Sequence, residues 1–323
     1  MKNRICELLG IDVPIVQGAM QWLAVPELAA AVSNAGGLGI ISAATFPGEG
    51  ELAAQIRKMK TLTSRPFAVN ISLLPGRANT EKAMAYIDAV VSEGVPIVET
   101  SGRSPEDLVG PLKAAGIKII HKAPSVKFAK KAEGIGVDAV TVISFESGGH
   151  PGMGDATTMI QIRRAAQELH IPILAGGGIA DGAGMAAAMA LGADGVVMGT
   201  RFIAAKECPI HPAFQQLLLD GTENDTLMVM RSIKNVLRAR DNPSSRKLLE
   251  MENNGATLED ILTLAAGKIT HTCYQNGDTD HCVFPVGEAM GLIHEVKGAK
   301  EIVEETMREA EATLDRLTAA WKS

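Results

Sequence analysis

Apolar residues in the first two hundred positions come in short blocks, not long stripes. Blocks at 14–20, 38–44, 67–74, 96–102, 117–125, 139–144, 171–179 and 195–200 are nearly continuous in Val, Ile, Leu, Ala and Gly. A strand buried on both faces loses the in–out alternation and reads this way, the signature of a parallel sheet covered by helices. Segments with helical signals separate the blocks. Pro26-Glu27-Leu28 opens one, Ser104-Pro105 supplies an N-cap followed by Pro at the first helical position, and Thr158 begins a third. Gly36, Gly94, Gly116, Gly136 and Gly192 each stand between a helical segment and the next block, where a left-handed residue ends a helix without steric cost.

Eight strand–helix units predict an α/β fold, a TIM (β/α)8 barrel, with a doubly wound open sheet as the structural alternative. Beyond residue 205 the rhythm stops, and the stretches 212–218 and 226–240 read as helices. The expected organisation is a barrel over 1–205, a helical substrate-covering insert over 206–286 and C-terminal helices over 287–323 that pack back on the barrel. The charged run at 304–311 reads as the solvated face of such a helix.

Composition narrows the classes further. With 33 Gly among 323 residues and only 3% aromatics, the chain suits many tight loops and small-residue helix packing. A net charge of −6 without a Lys/Arg run excludes a phosphate-backbone track, so nucleic acid is not an expected partner. Four scattered cysteines form no CxxC pair, and the group His271, Cys273, His281 and Cys282 matches no zinc spacing, so no metal is expected. Charges at Lys2 and Arg4 interrupt any leader-like apolar run, and no membrane-length apolar stretch follows. A cytoplasmic location is the expectation.

A barrel directs the C-terminal ends of its strands to one mouth, and candidate chemistry sits there. The first block ends in Gln17-Gly18-Ala19-Met20, the third carries Asn70, the fourth Glu99 and the fifth Lys122. After the sixth come Glu146 and the loop Ser147-Gly148-Gly149-His150-Pro151-Gly152. Glycines let main chain approach a ligand closely, and an imidazole among them can move protons near neutral pH. Glu146 is placed to orient this loop or the imidazole, or to cap a helix. After the seventh block come Gly176, Gly177 and Gly178, and Met198-Gly199-Thr200 closes the eighth. Glycine loops leading into helices present backbone N–H groups to phosphate, although they also simply make tight turns. No dinucleotide fingerprint is present, which favours a mononucleotide.

These segments, with Asn34-Ala35-Gly36-Gly37-Leu38-Gly39 and Gly177-Gly178-Ile179-Ala180-Asp181-Gly182, together resemble the nitronate monooxygenase family, formerly the 2-nitropropane dioxygenases. That family also contains FMN-dependent enoyl-ACP reductases and NAD(P)H:quinone reductases. The resemblance is good over 5–202 and looser beyond. It implies FMN held non-covalently at the barrel mouth, with Ala19 and Met20 beside the ring and Asn70 hydrogen-bonded to it. Lys122 would face the ring's N1 region, and Gly149, Gly177, Gly178, Gly199 and Thr200 would hold the phosphate, with Gly176 and Met198 in the same cofactor set. His150 would be catalytic, supported by Gln17, Glu99 and Glu146.

The implied reaction is oxidation of alkyl nitronates by O2 to a carbonyl compound and nitrite. A reductase taking electrons from NADH or NADPH to a quinone or enoyl thioester is the alternative, and a flavin-free lyase or isomerase of a phosphorylated metabolite is the alternative from another class. The implied partners are a small-molecule substrate and O2 or a quinone as electron acceptor, and exposed helical additions make a homodimer the expectation. Two departures stand out. The sequence Glu99-Thr100-Ser101-Gly102-Arg103 and the Lys122 that follows differ from the reductase branch, and Glu288 stands where the family usually carries Gln, a carboxylate that would repel a nitronate.

Overall fold

Most of the apolar blocks become strands shorter than the block itself, because the polar or glycine residues at their ends peel off to form the mouth. In the computed structural model, which describes residues 3–73 and 77–322, the strands are β1 (Ile15–Gln17), β2 (Gly39–Ser42), β3 (Phe67–Leu73), β4 (Ile97–Gly102), β5 (Lys118–Ala123), β6 (Ala139–Ile143), β7 (Ile173–Gly176) and β8 (Gly195–Met198). Leu74, the end of the third block, lies outside the described residues. All neighbours are parallel, in the order β1-β8-β7-β6-β5-β4-β3-β2. A Val16–Leu38 bridge joins β1 to the residue before β2 and closes the ring, which excludes the open sheet.

Gln17 strengthens that seam. Its backbone N–H donates to Leu38 O, its side-chain Oε1 accepts from Ile40 N at 3.0 Å, and its Nε2 donates to Gly18 O at 2.6 Å. The side chain thus supplies bonds where regular pairing has dwindled to one bridge.

The barrel interior is filled by Val16, Ile40, Ala68, Ile97, Ile120, Ala139, Leu174 and Val197, in one cluster with Ile5 and Leu9 of the N-terminal helix Arg4–Leu9. A larger apolar shell lies between the sheet and the surrounding helices. The five helix-stopping glycines have φ between 61° and 111°. The helix after β4 is Glu106–Ala114, with Pro105 itself at the N-cap and no side-chain cap bond. Ser104 therefore lies one residue outside the role its sequence suggested.

Beyond β8 the helices Pro212–Leu219, Pro243–Asn253, Leu258–Ala265 and Gly267–Asn276 follow, but 226–240 is not helical. It is an antiparallel hairpin of β9 (Thr226–Val229) and β10 (Leu237–Arg240). Leu, Met, Ala and Arg in these strands favour helix intrinsically; tertiary packing overrides the preference, since Val229 and Leu237 join Leu248, Ile261 and Val283 in a separate small core. The last helix, Ala299–Lys322, lies along the helix Gly182–Ala190, where Glu309 accepts from Gly182 N at 3.0 Å. No described helix is long and apolar enough to cross a membrane.

Candidate active site

Strand alternation selects the residues of the mouth. Side chains two positions apart share a face, so one step beyond the apolar interior layer lie Gly18, Ser42, Asn70, Glu99, Lys122, Thr141, Gly176 and Gly199, one from each strand or its first loop residue. This layer is the floor of the mouth. Its β7–β8–β1 side is glycine and carries no side chain, with neighbours packed close enough that a Cβ would meet Ile143 at 3.1 Å at position 176 and Val197 at 3.4 Å at position 18; its β2-to-β6 side is polar.

The polar side is a connected network. Asn70 pairs with Glu99 in register, and its Nδ2 donates to Glu99 Oε2 at 2.7 Å. Lys122 Nζ stands 3.2 Å from the same oxygen. Ser72 and Ser101 extend the network toward solvent, their hydroxyls 3.2 Å apart. Glu99 is fully buried, yet its Oε1 has no partner, and Thr141 Oγ1 is likewise buried and unpartnered. Lys122 is therefore not a lone cation at the mouth.

The loops after β6, β7 and β8 interlock. Gly177 has φ 113°, and a Cβ there would stand 2.2 Å from Ser144 Oγ and 2.6 Å from Ser147 Oγ, so only glycine fits. Ser147 Oγ donates to Gly176 O, and Thr158 Oγ1 donates to Gly177 O. Gly148 is pressed against Val286 and Gly287, where a Cβ would meet backbone at 2.6 Å. Gly287 N donates to Thr200 Oγ1 at 3.0 Å, so that hydroxyl keeps its own proton for another acceptor. Met198 contributes main chain only, its carbonyl accepting from Gly18 N while its side chain packs in the outer shell. Met20 lies over Gly199, with its sulfur 3.9 Å from where a Cβ would be, and Ala19 beside it is half-buried.

Where an anion could sit is narrower than the glycine pattern suggests. The helix after β7 is already capped, because Asp181 Oδ1 accepts from Gly184 N at 2.7 Å and Glu309 takes Gly182 N. The short helix Thr200–Ile203 has no side-chain cap bond. Gly177, Gly178, Gly199 and Thr200 lie in the neighbouring loops after β7 and β8, where main-chain N–H groups are of the kind that suits an anion.

Glu146 is committed to structure. Its carboxylate accepts from Thr158 N at 2.9 Å and from the Ser144 hydroxyl, which caps the helix Thr158–Glu168 and ties it to the loop. It does not orient the imidazole. Among the described residues no hydrogen-bond partner holds the His150 ring. The ring is open to water but surrounded by the walls of a concave mouth, and this partial burial pushes its pKa below the ordinary histidine value. His121, next to Lys122, points to the other side of β5. It meets Thr100 Oγ1 at 2.9 Å, and burial, with the charge of Lys122 adding to it, drives its pKa down to about 4.

Two residues without a sequence signal, Arg238 and Trp22, complete the site. Arg238 of β10 exchanges two backbone bonds with Gly149 (3.0 and 2.7 Å), holding the loop that carries His150. Its guanidinium lies 4.3 Å above the Phe145 ring, donates to Phe145 O and pairs with Glu288 at 2.9 Å. Glu288 is thereby neutralised by a buried cation. Trp22, with φ 70°, donates from Nε1 to Gly267 O and stacks on His271 at 4.2 Å, joining the loop after β1 to the insert. His271 is thus engaged in a ring stack, Cys273 and Cys282 are buried, and among the described residues no group of three or more His, Cys, Asp or Glu side chains has metal-holding geometry. Ser42 and Thr141 were findable by the two-residue count, whereas Arg238 was hidden by the helical reading of β10.

Comparison with known proteins agrees with this architecture. The nitronate monooxygenase family model matches residues 2–309. A Rhodococcus jostii (3aS,4S,5R,7aS)-5-hydroxy-7a-methyl-1-oxo-octahydro-1H-indene-4-carboxyl-CoA dehydrogenase is 39% identical over 70% of the chain, a match spanning 62% of that relative's length. The Mycobacterium tuberculosis protein of the same name is 30% identical over 99% of both chains. The structure of FabK from Thermotoga maritima superposes with a TM-score of 0.92 at 35% identity, covering 99% of each chain.

Proposed function

Because the chain belongs to the nitronate monooxygenase family and is an oxidoreductase, we propose that it binds FMN across the mouth floor and exchanges hydride with an acyl thioester whose reacting acyl group is uncharged, with NADH or NADPH as the second electron partner. The floor fits a planar, hydrogen-bonding ring with an anionic tail. Glycines at 18, 176 and 199 put no side chain into the floor, Asn70 and Lys122 offer polar contacts along one edge, and the main chain at Gly177, Gly178, Gly199 and Thr200 would receive the phosphate. Ala19 and Met20 flank the ring, and Gly149 brings its main chain alongside. When bound, the flavin supplies the two-electron chemistry; the protein supplies orientation and electrostatics.

Charge balance carries the substrate class. Each buried cation around the mouth is already matched, Lys122 by Glu99 at 3.2 Å and Arg238 by Glu288 at 2.9 Å, and His150 is biased toward its neutral form. Among the described residues no surplus buried cation waits for a nitronate anion, while a neutral imidazole suits a thioester carbonyl or the proton on its neighbouring carbon. The carboxyl-CoA substrates named for the Rhodococcus and Mycobacterium relatives support the same class. His150 would hold or move the proton, and Arg238 would keep the loop in place.

Nitronate oxidation is the second reading, favoured by the family description and by an accessible His150 whose ring no described residue engages. Purified protein reconstituted with FMN should be yellow, bleach anaerobically with NADH or NADPH, and regain colour on adding a 2-enoyl-CoA. Bleaching by an alkyl nitronate without nicotinamide, with nitrite released in air, would replace the thioester reading by the nitronate one. A colourless protein that FMN cannot reconstitute would remove both.

A further inference from the structure

The apolar layer beneath the floor contains Ala68, Ile97 and Ile120; directly above it on the same three strands stand Asn70, Glu99 and Lys122. Packing alone gives no reason for a carboxylate at the middle position. Glu99 is fully buried with Oε1 unpartnered, a costly arrangement that a purely structural role would avoid. Its partnered oxygen faces the Lys122 ammonium at 3.2 Å and takes the Asn70 amide at 2.7 Å. Because Oε1 is beyond the reach of water and lacks a donor, the negative charge is screened less than a surface carboxylate would be.

We propose that Glu99 is a positioning residue that sets the electron affinity of the bound flavin by neutralising and orienting Lys122; this rests on the FMN reading above. A lone ammonium at the floor would favour the reduced cofactor, whose added electrons place negative charge on the ring edge. The Glu99 carboxylate cancels that bias and holds the ammonium on the β4 side, while Asn70 is fixed by the same oxygen. The floor then presents a polar but uncharged edge, and the flavin stays a poor enough electron acceptor to pass its electrons onward.

The Glu99→Gln variant keeps shape and leaves Lys122 uncompensated. With FMN bound, its sulfite dissociation constant should fall at least tenfold. The midpoint potential from anaerobic dye equilibration should rise by about 30 mV for each tenfold change in the two-electron equilibrium. The double variant Glu99→Gln/Lys122→Met removes both charges and leaves no buried unpaired ion, so it serves if the single variant does not fold. It should keep sulfite affinity and potential near those of the wild type. An unchanged potential in Glu99→Gln, or a double variant whose sulfite binding weakens tenfold as though only a cation had been lost, would overturn the inference. Yellow wild-type protein with either result separates this failure from that of the FMN reading, which a colourless wild type would show and which would overturn both.

Discussion

At the scale of single residues, the mouth depends on which charges are answered. His150 is the one titratable side chain there with no partner among the described residues, and its depressed pKa follows from the walls around it, not from a neighbouring charge. A neutral imidazole is then the dominant form at pH 7. Turnover that requires this form should hold at neutral pH and fall as pH drops through the folded-state pKa, with the acid limb of kcat/KM below pH 6.5. An acid limb above 6.5 would contradict the burial argument. The His150→Asn variant should retain FMN affinity, read by flavin fluorescence, while kcat drops about 100-fold or more. Equal turnover would mean the ring only lines the entrance. Glu146 was the natural candidate to orient this ring, and the structure spends it instead on the start of the helix Thr158–Glu168.

At the scale of elements, loops and hairpin operate as one unit. The turn after β7 can adopt its path only because residue 177 has no side chain: φ is 113°, and Ser144 and Ser147 fill the space where a Cβ would lie. Gly177→Ala should destabilise the apoprotein by about 2 kcal/mol or more through strain and overpacking, lower its melting temperature by several degrees and weaken FMN binding together with it. Loss of FMN affinity without a change in melting temperature would assign residue 177 to the ligand rather than to the loop. The β9–β10 hairpin shows where pattern reading fails. Its strands are four residues long, and the residues of β9 are mostly half-buried, so neither alternation nor a continuous apolar run can develop, and helix-favouring side chains dominate. Only contact with Gly149 on one side and the small core around Leu248 on the other makes it a hairpin.

At the scale of the whole molecule, the barrel couples its stability to the same strands that carry the site. His121 is buried on the outer face of β5 with its pKa lowered from 6.5 to about 4. Because the folded value lies below the unfolded one, its contribution is fully present above pH 6.5 and is lost as pH falls through 4. Unfolding free energy from urea titrations should therefore decline between pH 6.5 and 4, by on the order of 3 kcal/mol from this residue. His121→Gln should flatten that part of the profile; an unaltered slope would place the acid sensitivity elsewhere.

Much of this architecture is legible in the amino-acid order. Eight doubly buried strands announce themselves as apolar blocks because both faces of each strand meet hydrocarbon, and helix ends announce themselves as glycines because few other residues tolerate positive φ. The placement of Asn70, Glu99, Lys122, His150 and the glycines 176–178 and 199 at one end of the barrel follows from their positions at strand ends, a local property. What the order of residues leaves open is partnership. That Lys122 is matched by Glu99, Glu288 by Arg238, and Gly182 N of the helix after β7 by Glu309 depends on strand register and on segments brought together from as far as 127 residues away. Local sequence determined which groups reach the mouth, since strand periodicity acts over two residues; only the tertiary structure decided which of their charges survive there, since charge pairing acts through space.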